Sequence, residues 1–244
     1  MKPYYLCILF ITLFISCSDS NDITDGTISN QRVISAIDDS SEAINYANPH
    51  DYAGQIHQEL LTTYYNADVL PFTLSGIITT ATTVANANDS FLSLTKNTPY
   101  HFGYVDRVTY IVSQPVGFQD AIINESIHDS DARSSFKTFV TELLHACEEE
   151  DNFSVLYDSI VAYEEAVYKD TGLTDHDKQT ILITTSITRH GLYARKKKPK
   201  KDKDPEWQYM VGNIFAALDG ADDSVEDAII RGLVTGIVEN TKRV

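Results

Sequence analysis

The sequence predicts an all-α protein, an irregular bundle of about six to eight helices. Apolar residues recur at helical spacing in successive segments, and cap and stop residues bracket those segments. The chain is also large enough, at 244 residues with 43% hydrophobic side chains, to bury one substantial core. No repeat of 20 to 50 residues breaks it into a solenoid.

The first sharp helix signal is Asn48-Pro49-His50-Asp51. Asn caps well, Pro suits the first helical position, and an acid in the first turn meets the positive end of the dipole. Tyr52, Ala53, Ile56, Leu60 and Tyr64 are then expected to form the buried stripe. From Pro71 to Ser113 the reading is helix in competition with short strands, because β-branched residues crowd Ile77 to Val84 and Val108 to Val112. Phe136, Phe139, Val140, Leu143 and Cys147 form one apolar stripe, and Phe153, Leu156, Tyr157, Ile160 and Val167 another that Gly172 ends. Thr174 with Asp177 caps the next helix, which carries Ile181 and Ile187. It is expected to stop at Arg189-His190-Gly191, where cations and a glycine suit a C-terminus.

Arg195 to Asp204 holds seven basic residues and reads, up to Pro205, as a solvated linker inside a single domain that spans 49–244. Two helices follow it. Trp207, Met210, Val211, Ile214, Phe215 and Leu218 face the core from the first. Val225, Ile229, Leu233 and Ile237 do so from the second, after an acidic capping box at Asp223-Ser224-Val225-Glu226. Gly232 and Gly236 on that face invite a neighbouring helix to approach closely.

The formal charge of −16, from 19 Lys and Arg against 35 Asp and Glu, argues against binding of nucleic acid by the general surface. The first 16 residues have one positive charge, Lys2, and an apolar run from Tyr4 to Ile15 too short for a stable membrane span. They read as a signal peptide. Leu13-Phe14-Ile15-Ser16-Cys17 resembles the lipobox of bacterial lipoproteins, and the resemblance implies a lipid on Cys17, membrane attachment through it and a cell-envelope location. Phe14 and Ile15 depart from the usual Leu and small residue of that motif. Ser18-Asp19-Ser20-Asn21-Asp22 is similar to the acidic export signal that Bacteroidota lipoproteins carry, which implies the outer membrane; residues 17–48 then form a polar tether. The stretch from Asn48 to Glu59 is similar to an N-P-x-D-x-x-G-x-x-H-x-E pattern of Bacteroidota exported proteins to which no activity is assigned.

No catalytic signature stands out. Glu125 with His128 and Glu142 with His145 form two Glu-x-x-His pairs, the spacing with which helical bundles hold two metal ions. The stripe Phe136 to Cys147 places Glu142 and His145 on the solvent side, so no metal or cofactor is expected from them. His50 and His57 lie too far apart along a helix for one zinc ion. Cys147 lies on an apolar stripe, and neither a Gly-x-Ser-x-Gly elbow nor a phosphate-binding loop occurs. Tyr100, Phe102, Tyr104 and Tyr110 offer sugar stacking or plain core packing. Lys196, Lys197, Lys198, Lys200 and Lys201 offer a docking patch for an acidic partner, or only a soluble linker. The expected function is therefore a lipid-anchored protein that binds a protein or glycan partner. The two rivals are an acidic inhibitor of a basic toxin and a metal-dependent enzyme built on the Glu-x-x-His pairs.

Overall fold

A computed structural model describes residues 40–149, 152–196 and 206–241. Among them a short 3-10 turn, Ser40–Ala43, precedes ten α-helices and no strand. The first five are α1 (Asp51–Tyr65), α2 (Leu74–Asn86), α3 (Asp89–Leu94), α4 (Val105–Ser113) and α5 (Phe118–Ser126). The second five are α6 (Ser130–Glu149), α7 (Phe153–Lys169), α8 (Asp175–Lys196), α9 (Glu206–Ala221) and α10 (Val225–Thr241). The all-α bundle is thus as predicted, with more helices than the six to eight expected. Short pieces such as α3 are below the length at which periodicity can be read.

At the centre lie α8, α9 and α10. The α9–α10 hairpin makes the most extensive helix pairing, α8 packs on α9, and α1 and α7 cover α8. Every described residue from Met210 to Ala221 and from Asp227 to Glu239 is buried. The expected stripes of these two helices are inside, Gly236 included, apart from Val225, which is only partly buried; the Trp207 side chain lies outside the described residues. The tightest point between α9 and α10 is Gly220, where an added methyl would sit 2.5 Å from the backbone of Asp227 and Ala228. Gly232 makes only ordinary contact with Ala217 and Asn213. The box that starts α10 uses Asp227 rather than Glu226: Ser224 Oγ accepts the Asp227 N–H and donates to its carboxylate.

The Pro71–Ser113 region holds three helices, α2, α3 and α4, and no strand; residues 95–104 between α3 and α4 are turn and irregular chain. Thr73 caps α2 by accepting the Gly76 N–H, and Ile77, Ala81 and Ala85 make its buried stripe. The outward threonines solve their own polar requirement, since Thr79 and Thr83 donate to the carbonyls of Ser75 and Thr79. β-branching therefore does not force a strand here.

Three other expectations are corrected. Helix α1 starts at Asp51 rather than Pro49, with His50 at the cap position, and Tyr52 is outside the buried stripe at 38% exposure. The packed unit reaches back before residue 49, because Ala43, Asn45 and Asn48 are buried. Helix α8 does not stop at Arg189-His190-Gly191 but runs on to Lys196, and Thr180 to Ala194 is buried without interruption.

Candidate functional site

The buried charges converge where α1 and α7 meet α8. Arg189 is fully buried and donates to Asp51 Oδ1 at 2.6 Å, to Glu164 Oε1 at 3.2 Å and to the Ala43 carbonyl. Glu164 also accepts from Asn45 at 2.6 Å and Asn48 at 3.0 Å. The Tyr157 ring lies 5.9 Å beneath the guanidinium and donates its hydroxyl to the Ile44 carbonyl. Paired and multiply hydrogen-bonded charges are the only kind a protein interior tolerates well.

The network engages several residues of the Asn48 to Glu59 stretch. Asn48 is not the N-cap expected; its amide donates to Glu164 and the Leu182 carbonyl, while its oxygen accepts the His50 N–H. Asp51 binds Arg189 and lies 3.4 Å from His190 Nε2. At Gly54 the helices touch, and the Ser186 hydroxyl accepts the Gly54 N–H and donates to the Asp51 carbonyl. An α1 first-turn N–H that usually needs a local cap is satisfied from α8 instead. A methyl at Gly54 would lie 2.4 Å from His190 Cδ2 and 2.5 Å from the Ser186 carbonyl oxygen. We expect Gly54→Ala to cost about 1 to 3 kcal/mol by overpacking, measured as a shift in the urea midpoint; an unchanged midpoint would refute the close approach.

His57 is fully buried. The Asn213 amide donates both to His57 Nε2 at 3.1 Å and to the Gly232 carbonyl at 3.3 Å, so Nε2 is the unprotonated nitrogen. Burial, reinforced by His190, lowers the His57 pKa to about 3. His190, 2.8 Å from Gln58, is also lowered by burial, with Asp51 pulling the other way. Burial tends to raise the Asp51 pKa, but His190, Arg189 and Gln55 outweigh it and hold the carboxyl at about 2. Glu59 reaches Asn88, the cap of α3.

A second network fastens α4 and α5 to the α9–α10 hairpin. Arg107 binds Asp219 and Glu125, and Arg231 binds Asp219 and Asp223. Tyr104 stacks under Arg231 at 3.3 Å, and Tyr100 donates to Asp227. These tyrosines are committed to packing rather than displayed for sugar. Glu125, a candidate metal ligand in the sequence, is Arg107's partner.

The two Glu-x-x-His pairs do not converge. Glu142 and His145 are exposed on α6, and His145 lies 3.7 Å from Glu149 on the same helix. His128, in the α5–α6 connection, stacks on His176 at 4.6 Å with the rings 9° from parallel. Both Nε2 atoms turn to Asp222 Oδ1 in the α9–α10 turn, at 3.7 Å for His128 and 3.4 Å for His176. Nothing in the sequence signals this grouping, because its members come from the α5–α6 connection, the first turn of α8 and the α9–α10 connection. Burial and the neighbouring Asp223 and Asp219 raise the Asp222 pKa, although His176 and His128 act against them.

Of the basic run, Lys196 ends α8 and Lys197, Lys198, Lys200 and Lys201 lie outside the described residues, as does Cys17. Between α6 and α7 is an open depression of about 460 Å³ lined by Ser134, Ser135, Thr138, Glu142 and Tyr163 among others. Cys147 is buried in the core. No protein-family model, curated protein or solved structure matches the chain.

Proposed function

We propose that this chain is a lipid-anchored cell-envelope protein whose helical domain acts by binding a protein or glycan partner. The observation that carries the reading is the short apolar run ending in Ser16-Cys17 and followed by a polar stretch before the bundle. No helix among the described residues is long and apolar enough to cross a membrane. A lipid on Cys17 is then the attachment, and a single acyl chain is weak enough that more than one is needed for stable anchoring.

The test is palmitate labelling of the full chain and of Cys17→Ala, with membrane fractionation. Label and membrane retention that both disappear in Cys17→Ala support the proposal. Retention of the variant in the membrane overturns it. Protease treatment of intact cells then assigns the membrane face, since only an outward domain is digested before the outer membrane is broken.

The charge of −16 favours a basic partner, and an inhibitor of a basic exported toxin is the narrowest form of this reading. Such binding weakens as salt rises, because screening shortens the reach of the field. Affinity unchanged between low and high salt would remove that form.

A further inference from the structure

We propose that His128, His176 and Asp222 form a binding site for one divalent transition-metal ion of the zinc type. The three offer two imidazole nitrogens and a carboxylate oxygen, all within 4.8 Å of one another. In a tetrahedral zinc site neighbouring donors sit about 3.3 Å apart, given metal–ligand bonds of about 2.0 to 2.2 Å. The two Nε2-to-Oδ1 distances, 3.4 and 3.7 Å, are already close to that spacing. Rotating the imidazoles slightly within their stack brings the nitrogens to it as well, and both rings are exposed enough to turn.

The framework behind the donors is rigid. The Asp177 carboxylate, with no exposed side-chain surface, accepts the backbone N–H groups of His128 at 2.7 Å and Asp129 at 3.1 Å, and the Thr174 hydroxyl at 2.9 Å. One buried carboxylate thus pins the α5–α6 connection to the first turn of α8 and places His128 beside His176.

The third donor is held from the other side. Gly220 O accepts the N–H groups of Asp223 and Ser224, which closes the turn around Asp222. Asp219 and Asp223 are engaged by Arg231, whereas Asp222 turns toward the histidines. Imidazole and carboxylate together suit zinc and its neighbours better than magnesium or calcium, which prefer oxygen alone. Three protein donors leave one coordination position for water. The ion would clip together the α5–α6 connection, the first turn of α8 and the α9–α10 connection.

The experiment uses the full chain, purified without a polyhistidine tag, stripped with chelator and titrated with Zn²⁺, with Co²⁺ as a spectroscopic stand-in. One Zn²⁺ per chain is expected, with a visible Co²⁺ absorption of low coordination number and a higher unfolding temperature with metal than without. His128→Asn, His176→Asn and Asp222→Asn should each weaken binding at least tenfold. His145→Asn, on the exposed face of α6, should leave it unchanged. Because the three donors lie at the surface, circular dichroism of the variants should match the parent and show that lost binding is not lost folding. Substoichiometric Zn²⁺ at micromolar free metal, or binding that survives in the His128→Asn/His176→Asn double variant, overturns the proposal.

Discussion

Arg189→Met should destabilise the protein by about 3 to 5 kcal/mol, the range found when one partner of a buried ion pair is removed. For a domain of this size that is a fall of about 10 °C or more in the unfolding temperature. Methionine fills much of the volume, so the loss arises from the carboxylates of Asp51 and Glu164, which remain buried without their cation. Adding Asp51→Asn and Glu164→Gln should recover part of it, because neutral amides leave no stranded charge. Arg107→Met is the control: its side chain is about one-third exposed and Asp219 retains Arg231, so the expected cost is about 1 kcal/mol. Equal losses for the two arginine variants would show that the Arg189 network does not hold α1 and α7 to α8.

Acid should unfold the protein in two overlapping stages. His57 and His190 have lowered pKa values when folded, so the unfolded chain binds their protons first and stability falls as pH drops below about 6.5. With the His57 value held at about 3, that residue alone removes about 2 kcal/mol between pH 6.5 and 4.5, the slope rising toward about 1.4 kcal/mol for each pH unit as the pH falls. The second stage belongs to Asp51 and Asp177, whose folded values are also depressed. Their contribution is complete above about pH 4 and disappears as pH falls through the folded values, near 2 for Asp51. His57→Asn should flatten the first stage whatever it does to absolute stability, so the slope of the urea midpoint against pH is the quantity to measure. An unchanged slope between pH 6.5 and 4.5 would mean that His57 is protonated in the folded protein.

Both predictions depend on groups that the chain presents as ordinary surface residues or helix ends. Arg189-His190-Gly191 has the composition of a C-terminus, and a helix that stops there needs no tertiary partner. In the bundle the same cation is enclosed by acids from α1 and α7, and the helix continues for another turn and more. Glu164 carried one legible signal: it lies four residues after Ile160 and three before Val167, on the apolar stripe of α7. A carboxylate on such a stripe implies a buried partner. Asp51, Gly54, Gln58 and Leu61 likewise follow helical spacing along α1, but polar residues at that spacing look solvated unless the opposing helix is known.

Local physics determined a good deal from the residues alone. The all-α class, the stripes of α6, α9 and α10, the Thr174–Asp177 cap and the buried Cys147 all depend on spacing within one helix, which the sequence displays directly. What tertiary structure decided was the polar interior. Helix α8 is buried on every side although it is rich in hydroxyls, because Thr184 and Thr188 donate to carbonyls one turn back and Ser186 bonds to α1. The placement of His128 beside His176 and Asp222 follows from the same cause. Two connections and the first turn of α8, distant in sequence, meet only where α5, α8 and the α9–α10 hairpin pack, and no periodicity within any one of them encodes that meeting.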